Sequence, residues 1–171
     1  GPCGARGEAR RTAGGDALAR WAAGHGGAVQ VRYIEHMPFG AAHARNHHPA
    51  EAMRSALAAL GTLEPLGHDP AGGPARDWVV RETGQRLGFI SPITAHFCDT
   101  CNRLRLLADG HLRTCLSREA DPSLKALIQD GASDAFLEQA IRRQVWGKVA
   151  GHEAHTDDWT AFEGVMTQIG G

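Results

Sequence analysis

Several features that would assign a protein to a class are missing from this 171-residue chain. No apolar run approaches the roughly 18 residues of a membrane-spanning helix, so we expect no membrane partner. There is no basic excess either, because 18 Lys and Arg stand against 19 Asp and Glu. Bulk nucleic-acid binding usually needs such an excess, so we expect no nucleic-acid partner, although a local basic patch stays open.

The chain is also poor in cysteine, and it begins without an apolar leader. Four cysteines are too few for a disulfide framework at this length. The first residues, GPCGARGEARR, have no apolar segment of the signal-peptide kind. These absences lead us to expect a reduced, cytoplasmic protein. Because the first residue is Gly rather than Met, we also expect a processed, tagged or partial chain.

The clearest single strand in the pattern is Val29–Met37, where apolar and polar residues alternate before Pro38. A strand that ends in polar residues is typical of α/β units, whose ligand sites lie at the carboxyl ends of strands. Arg32, Glu35 and Met37 are therefore candidate site residues. The alternative is that Arg32 and Glu35 form a solvated strand face.

The remaining pattern predicts helices and short strands joined by many loops. Residues 64–76 read as a Gly/Pro loop. His47 and His48 follow one another on a different loop, and neighbouring residues of this kind are poorly placed to chelate one metal. A helix over Asp16–Ala23 should place Leu18, Trp21 and Ala22 on one face. The other predicted elements are a helix from Pro49 to Leu60, strands Trp78–Arg81 and Arg86–Ile90, a helix from Pro122 capped by Asp121, and a helix from Ser133 to Trp146, whose inward face is Phe136, Leu137, Ala140, Ile141 and Val145.

The most specific stretch is FCDTCNRLRLLADGHLRTCL, Phe97–Leu116. Cys98 and Cys101 have the spacing that lets one tight turn present two thiolates to a metal. Cys115 follows thirteen residues after Cys101, the reach of a hairpin. Arg103 and Arg105 fit recognition of a phosphate, because guanidinium pairs with it bidentately, or they are surface charge.

Two hairpin registers are open, and they differ in where Cys115 faces. A two-residue loop, Asp109-Gly110, would put Cys115 on the face of the leucines. A three-residue loop from Ala108, with Gly110 in the left-handed region, would set position 103 opposite 115. Arg103, Arg105, Arg113 and Cys115 would then share one face, and Leu104, Leu106, Leu112 and Leu116 the other. We predict the second register, because register follows the separation of apolar from polar residues.

Three cysteines leave one coordination position open. A structural zinc site would need a fourth ligand from Cys3, His96 or His111, and such a non-catalytic zinc module is our alternative hypothesis. A 4Fe-4S cluster held by three cysteines keeps one iron open for a substrate. From residue chemistry alone, iron–sulfur, zinc and free thiols all remain open.

The cysteine stretch resembles the second-cluster motif of the GTP 3′,8-cyclases of molybdenum-cofactor biosynthesis, a radical S-adenosylmethionine family. VRYIEHMP, GFISPIT, DGASDAFLEQAI and the terminal IGG are similar to that family too. The resemblance implies that Cys98, Cys101 and Cys115 ligate a 4Fe-4S cluster whose open iron binds GTP. It implies that Arg103 and Arg105 hold the nucleotide, that Arg32 lies near the triphosphate, and that the Gly170-Gly171 tail enters the pocket.

The whole enzyme of that family is a lyase that converts GTP to (8S)-3′,8-cyclo-7,8-dihydroguanosine 5′-triphosphate, using S-adenosylmethionine and a further 4Fe-4S cluster. The C-x3-C-x2-C motif that holds this further cluster is absent from the chain. The resemblance therefore implies no radical-generating catalytic residue here and an inactive isolated chain. GTP is the expected ligand, and the missing N-terminal radical-SAM half and a second copy of the chain are the candidate protein partners.

The resemblance also sets the expected fold, an α/β to α+β arrangement. Residues 1–45 would be the remnant of a radical-SAM partial (β/α) barrel. Residues 46–171 would be a C-terminal 4Fe-4S, GTP-binding domain with antiparallel hairpins and helices.

Overall fold

The computed structural model describes residues 14–37, 48–67, 73–117, 123–148 and 151. The chain divides into two compact units. Of the described residues, 14–37 and 48–97 belong to the first unit, and those from Cys98 onward belong to the second. The predicted domains, 1–45 and 46–171, remain predictions.

The described residues of the first unit form a four-stranded sheet with two helices. Its spatial strand order is β1-β4-β3-β2, with β1 parallel to β4 and the other pairs antiparallel. The mixed α/β class agrees with the prediction, whereas the barrel remnant stays a prediction. In chain order the elements are α1 (residues 14–23), β1 (Val31–Ile34), α2 (Ala50–Leu57) with a 3-10 turn (Ala58–Leu60), β2 (Leu63–Gly67), β3 (Arg76–Val80) and β4 (Arg86–Ile90).

Strand β1 keeps the predicted alternation but is shorter than predicted. Val31 is buried, whereas Arg32 and Ile34 are exposed. Glu35 follows the strand and is only 1% exposed. The solvated-face alternative is therefore wrong for Glu35, and it fits Arg32.

Helix α1 packs through its small residues rather than its large ones. Ala19 and Ala22 are fully buried, whereas Leu18 and Trp21 are 48% and 55% exposed. The predicted face is wrong for these two large residues, because alanines let the helix backbone approach its neighbours closely. Tyr33 marks that approach, since its hydroxyl donates a 2.7 Å hydrogen bond to the carbonyl of Gly15.

Strand β2 lies where the sequence predicts a loop. It pairs antiparallel with β3 at the edge of the sheet, with Pro65 opposite Trp78. Proline is tolerated on edge strands, because one of their sides needs no ladder donor. The hairpin of β3 and β4 confirms the two strands predicted there, with a turn that contains Gly84.

The second unit holds a short hairpin and two helices. Ser133 caps α4 as predicted, its hydroxyl accepting from Phe136 N–H. Ser123 caps α3 in the same way, whereas the predicted cap, Asp121, and Pro122 lie outside the described residues. Its elements are a 3-10 turn (Cys98–Thr100), β5 (Arg105–Leu106), β6 (Leu112–Arg113), α3 (Leu124–Gln129) and α4 (Asp134–Trp146).

The predicted inward face of α4 is not buried by the described part of the chain. Phe136, Ile141 and Val145 are each more than a third exposed there. Among the helices of the described ranges, none has the length and apolar character needed to cross a membrane.

Candidate metal and nucleotide site

Cys98 and Cys101 lie at the two ends of one tight turn. Cys98 begins the 3-10 turn, and the N–H of Cys101 donates to the carbonyl of Cys98 at 3.2 Å. Cys115 follows β6. None of the three forms a disulfide and each is partly exposed, so each can become a metal ligand.

The hairpin that returns the chain to Cys115 has the predicted three-residue loop. Arg105 pairs with Arg113, and Leu106 pairs with Leu112. The N–H of Leu107 donates to the carbonyl of His111 at 2.8 Å, which closes the loop over residues 108–110. Gly110 has φ +86°, in the left-handed region where glycine is favoured. The register prediction is confirmed, and the two-residue alternative is wrong.

The two faces of the hairpin differ as predicted in residue type, but the leucine face is only partly covered. Leu112 is 6% exposed, whereas its cross-strand neighbour Leu106 is 67% exposed within the described part of the molecule. Arg105 and Arg113 on the opposite face are partly buried. The hairpin is thus anchored through Leu112, and its cationic face is partly covered.

Helix α3 supports the tip of this hairpin, which the sequence did not reveal. The N–H of Leu124 donates to the carbonyl of Gly110 at 2.8 Å, and the Ser123 hydroxyl donates to the carbonyl of Asp109 at 3.2 Å. The ring of His111 pairs with the Asp109 carboxylate at 3.0 Å. His111 thus helps to fix the loop through Nδ1, a pairing that is also compatible with metal binding through Nε2.

Arg105 lies in the electrostatic field of two of the cysteines. Burial and the nearby charge of Arg103 lower the pKa of Arg105, while Cys101 and Cys115 act in the opposite direction. The pairing of Arg105 with Arg113, two residues before Cys115, is consistent with this influence of the sulfurs. A cationic group beside thiols favours their ionised, metal-binding form.

The Cys101 thiol is itself tuned toward the thiolate. Burial alone would raise the pKa of Cys101. Hydrogen bonds from Arg103 and Lys148, together with the charge of Arg103, outweigh burial and lower that pKa. Thiolate is the form that binds metals.

Lys148 is a site residue that the sequence analysis missed. It lies just beyond α4, and its ammonium contacts Cys101 Sγ at 3.3 Å. It also donates to two carbonyls, those of Cys101 and Arg103. A single lysine 47 positions from its contact has no local pattern that could have indicated this role.

The other predicted site residues belong to the first unit or lie outside the described residues. Arg32 is exposed on β1 in the first unit. His96 is exposed. Gly170, Gly171 and Cys3 lie outside the described residues, so their predicted roles stay predictions.

Glu35 is placed as a structural anchor of the first unit. Its carboxylate accepts from the N–H groups of Ala50, Ile93 and Thr94 at 2.8, 3.0 and 2.9 Å. The hydroxyl of Thr94 also donates to it. A carboxylate that is surrounded by protein donors has little capacity left for a ligand. Met37, the third candidate, is partly exposed beyond the end of β1.

The donor chemistry fits an iron–sulfur cluster. No three His, Cys, Asp or Glu side chains of the described ranges are arranged to hold one metal ion. Three thiols beside cationic groups suit an anionic thiolate cluster, whose ligands bind different irons and lie further apart than the ligands of one ion. Ligation of a cluster by the three cysteines stays a prediction.

Comparison with known proteins identifies the family of the chain. Residues 29–154 match the family described as Molybdenum Cofactor Synthesis C. The chain belongs to this family. It is similar to "GTP 3′,8-cyclase" of Caulobacter vibrioides, with 43% identity over 140 residues, which cover 80% of the chain and 39% of that protein.

Further relatives give the same result. "GTP 3′,8-cyclase" of Brucella ovis is 40% identical over 139 residues, covering 80% of this chain and 40% of that enzyme. The corresponding protein of Brucella canis matches to the same extent. The chain thus spans about two fifths of the length of these relatives, and the matched part is their C-terminal part. The predicted family resemblance is confirmed.

Proposed function

We propose that this chain is the 4Fe-4S and GTP-binding part of a GTP 3′,8-cyclase, acting in molybdenum-cofactor synthesis. The observation that carries the proposal is the hairpin register. It sets Arg105 opposite Arg113, two residues before Cys115 in the chain. Sulfur donors and cationic side chains that converge on one hairpin suit a ligand with a metal-binding base and a phosphate tail.

The proposed roles of the site residues follow from their chemical type. Cys98, Cys101 and Cys115 would hold the cluster, which when bound supplies an open iron for a donor atom of the guanine base. Arg103 and Arg105 would pair with the phosphates or orient the nucleotide. Arg32 and the tail residues Gly170 and Gly171 are proposed as further GTP contacts on the basis of the family resemblance. This division binds and orients the substrate, which is a contribution through positioning.

We propose further that the chain alone does not convert GTP. The chain has four cysteines, three of which belong to the proposed GTP site, so none of its motifs can hold a cluster that cleaves S-adenosylmethionine. An N-terminal radical-SAM part would have to supply that cluster and the radical. Incubation of the purified chain with GTP, S-adenosylmethionine and a reductant should give no cyclised product. Product formed without any other polypeptide would overturn this part of the proposal.

Cluster binding is tested by anaerobic reconstitution with iron and sulfide. We expect a brown protein with close to four iron and four sulfide per chain, the stoichiometry of a 4Fe-4S cluster. Replacing Cys115 by Ala should abolish retention of the cluster. The matched control is C3A, since Cys3 is the one cysteine outside the proposed set. A colourless protein with about one tightly bound zinc would support the non-catalytic module instead.

Nucleotide binding is tested separately on the reconstituted protein. R103Q and R105Q should each keep the cluster and weaken GTP binding by about 1.5–3 kcal/mol, the range for a hydrogen bond to a charged group. Isothermal titration calorimetry measures this difference. R142Q is the matched control, because Arg142 pairs with Glu138 on the surface of α4. Unchanged GTP affinity in both variants would identify the arginines as surface charge.

A further inference from the structure

The ammonium group of Lys148 touches the chain immediately after the second cysteine at three points. Its Nζ atom lies 2.8 Å from the carbonyl oxygen of Cys101, 3.0 Å from that of Arg103 and 3.3 Å from Cys101 Sγ. These acceptors belong to residues 101–103, a segment outside any helix or strand. At the start of the segment, the N–H of Cys101 donates to the carbonyl of Cys98 at 3.2 Å.

The three contacts use the full donor capacity of a lysine. An ammonium carries three N–H groups and no acceptor, and here each N–H has one acceptor within reach. Two of the acceptors are carbonyls two residues apart, so the group fixes the path of the backbone between them. The third is the sulfur that is proposed to bind iron. One side chain therefore contacts both the backbone of residues 101–103 and the sulfur of Cys101.

The position of Lys148 is itself fixed by the end of α4. The N–H of Gly147 donates to the carbonyl of Arg143 at 2.9 Å, and the N–H of Lys148 donates to that of Val145 at 3.2 Å. A Cβ at position 147 would approach the Arg143 carbonyl to 3.3 Å, so glycine suits this tight helix end. Because the end of α4 holds the backbone of Lys148, the Lys148 side chain can support the 101–103 segment from a fixed position.

We infer that Lys148 is a positioning residue, which holds the 101–103 segment so that the side chains of Cys101 and Arg103 keep the orientation needed for the cluster and the nucleotide. The inference rests on the proposed function in taking Cys101 as an iron ligand. The hydrogen bonds that hold the segment do not depend on any bound group, so this inference and the proposed function can be tested separately.

The experiment compares four proteins: the wild-type chain, K148M, K148R and K125M. Methionine keeps most of the length of the lysine stem and removes all three donors. Arginine keeps the charge, but its planar guanidinium cannot reproduce the three-point geometry of an ammonium. K125M is the matched control, because Lys125 is the one other lysine of the chain and is exposed.

The first measurement is amide hydrogen exchange of the cluster-free proteins, followed by mass spectrometry of peptides that cover residues 98–107. K148M should exchange about tenfold faster or more in this segment, as expected for the loss of hydrogen bonds to a charged group. K148R should remain faster than wild type, and K125M should match wild type. Should K148M fail to fold, K148Q keeps two donors on a shorter side chain and should give an intermediate rate.

The second measurement is the rate at which reconstituted protein loses iron to an excess of chelator. K148M should lose iron about tenfold faster than wild type. K148R should lose iron at a rate between those of K148M and wild type. If K148M exchanges its amide hydrogens and loses iron at the same rates as wild type, the inference is overturned and the proposed function stays intact. Complete rescue by K148R, or faster exchange without faster iron loss, would also overturn it. A wild-type chain that binds no iron would instead defeat the proposed function, while the exchange comparison would still decide whether Lys148 holds the segment.

Discussion

Arg105 lies directly opposite Arg113 in the hairpin that precedes Cys115. Two like charges at opposite positions of an antiparallel pair destabilise it, and Arg103 adds a third positive charge nearby. We therefore predict that the paired arginines carry an electrostatic cost in the cluster-free protein, which the proposed nucleotide phosphates would reduce.

Replacing Arg105 by Gln should raise the free energy of unfolding of the cluster-free chain by about 0.2–1 kcal/mol, because it removes this repulsion. Urea unfolding at low ionic strength measures the change. The gain should shrink at about 1 M salt, where the Debye length falls to roughly 3 Å. R142Q, which breaks a surface ion pair, should show no gain. A cluster-free R105Q protein that is less stable than wild type at low salt would contradict the prediction.

Gly110 should be the most sensitive position of the turn. In G110A the new Cβ would overlap the Cβ of Lys125 and approach the Ser123 hydroxyl to 3.1 Å, in addition to the strain of a positive φ. We expect a loss of about 2–4 kcal/mol in unfolding free energy, from strain and overpacking together. The measurement is urea unfolding.

G131A separates the two contributions to this loss. Gly131 has φ +80°, but nothing lies within 4 Å of an added Cβ. This variant should lose only the roughly 1–2 kcal/mol of the left-handed conformation. Equal losses in G110A and G131A would show that α3 does not support the hairpin tip.

Glu35 should make the first unit sensitive to acid. Burial alone would raise the pKa of Glu35, but hydrogen bonds from Thr94, Ala50 and Ile93 outweigh it and lower the pKa below its ordinary value of 4.5. Because the folded-state pKa is the lower one, the carboxylate stabilises the fold above about pH 4.5. That contribution is lost as the pH falls from there through the folded-state pKa.

E35Q tests this directly. The amide keeps the shape but loses the charge and part of the acceptor capacity, so at pH 7 we expect a loss of about 1–3 kcal/mol. Unfolding free energies of wild type and E35Q should converge as the pH is lowered below 4.5. E138Q on the surface of α4 is the control and should change stability by less than about 1 kcal/mol. A difference between wild type and E35Q that stays constant with pH would rule out this role.

Tyr33 offers a spectroscopic test of the packing of α1 on β1. Burial, and to a lesser degree the charge of Asp16, raises the pKa of Tyr33 from 10.0 to about 12. It is the one tyrosine of the chain, so the ultraviolet absorbance of phenolate reports it alone. The native titration should have its midpoint near pH 12, and the urea-unfolded chain near pH 10.

The same shift predicts a loss of stability in alkali. Because the folded-state pKa is the higher one, the stability that neutral Tyr33 contributes is present below pH 10 and is lost as the pH rises toward 12. Y33F should lack this dependence and should lose about 1 kcal/mol at neutral pH, the value of its hydrogen bond to Gly15. A native midpoint at the ordinary value would show that the phenol is exposed.

Much of the hairpin was determined by the sequence alone. The alternation of leucine with arginine around Asp109-Gly110 allowed one register that separates apolar from polar residues, and Gly110 has the backbone conformation that this register needs. The Cys98–Cys101 spacing likewise determined a single tight turn. Such features are local, so a few neighbouring residues suffice to specify them.

Tertiary structure decided what depends on distant partners. Strand β2 forms because β3 provides its hydrogen bonds, although Pro65 and Gly67 gave no strand pattern. Glu35 is an anchor rather than a surface residue because donors from positions 50, 93 and 94 converge on it. Lys148 reaches the Cys101 segment across 47 positions, and its single charge carries no sequence signal. The sequence determined which residues could form the site, and the fold decided which side chains hold it in place, since only packing brings residues so far apart in the chain within hydrogen-bond distance.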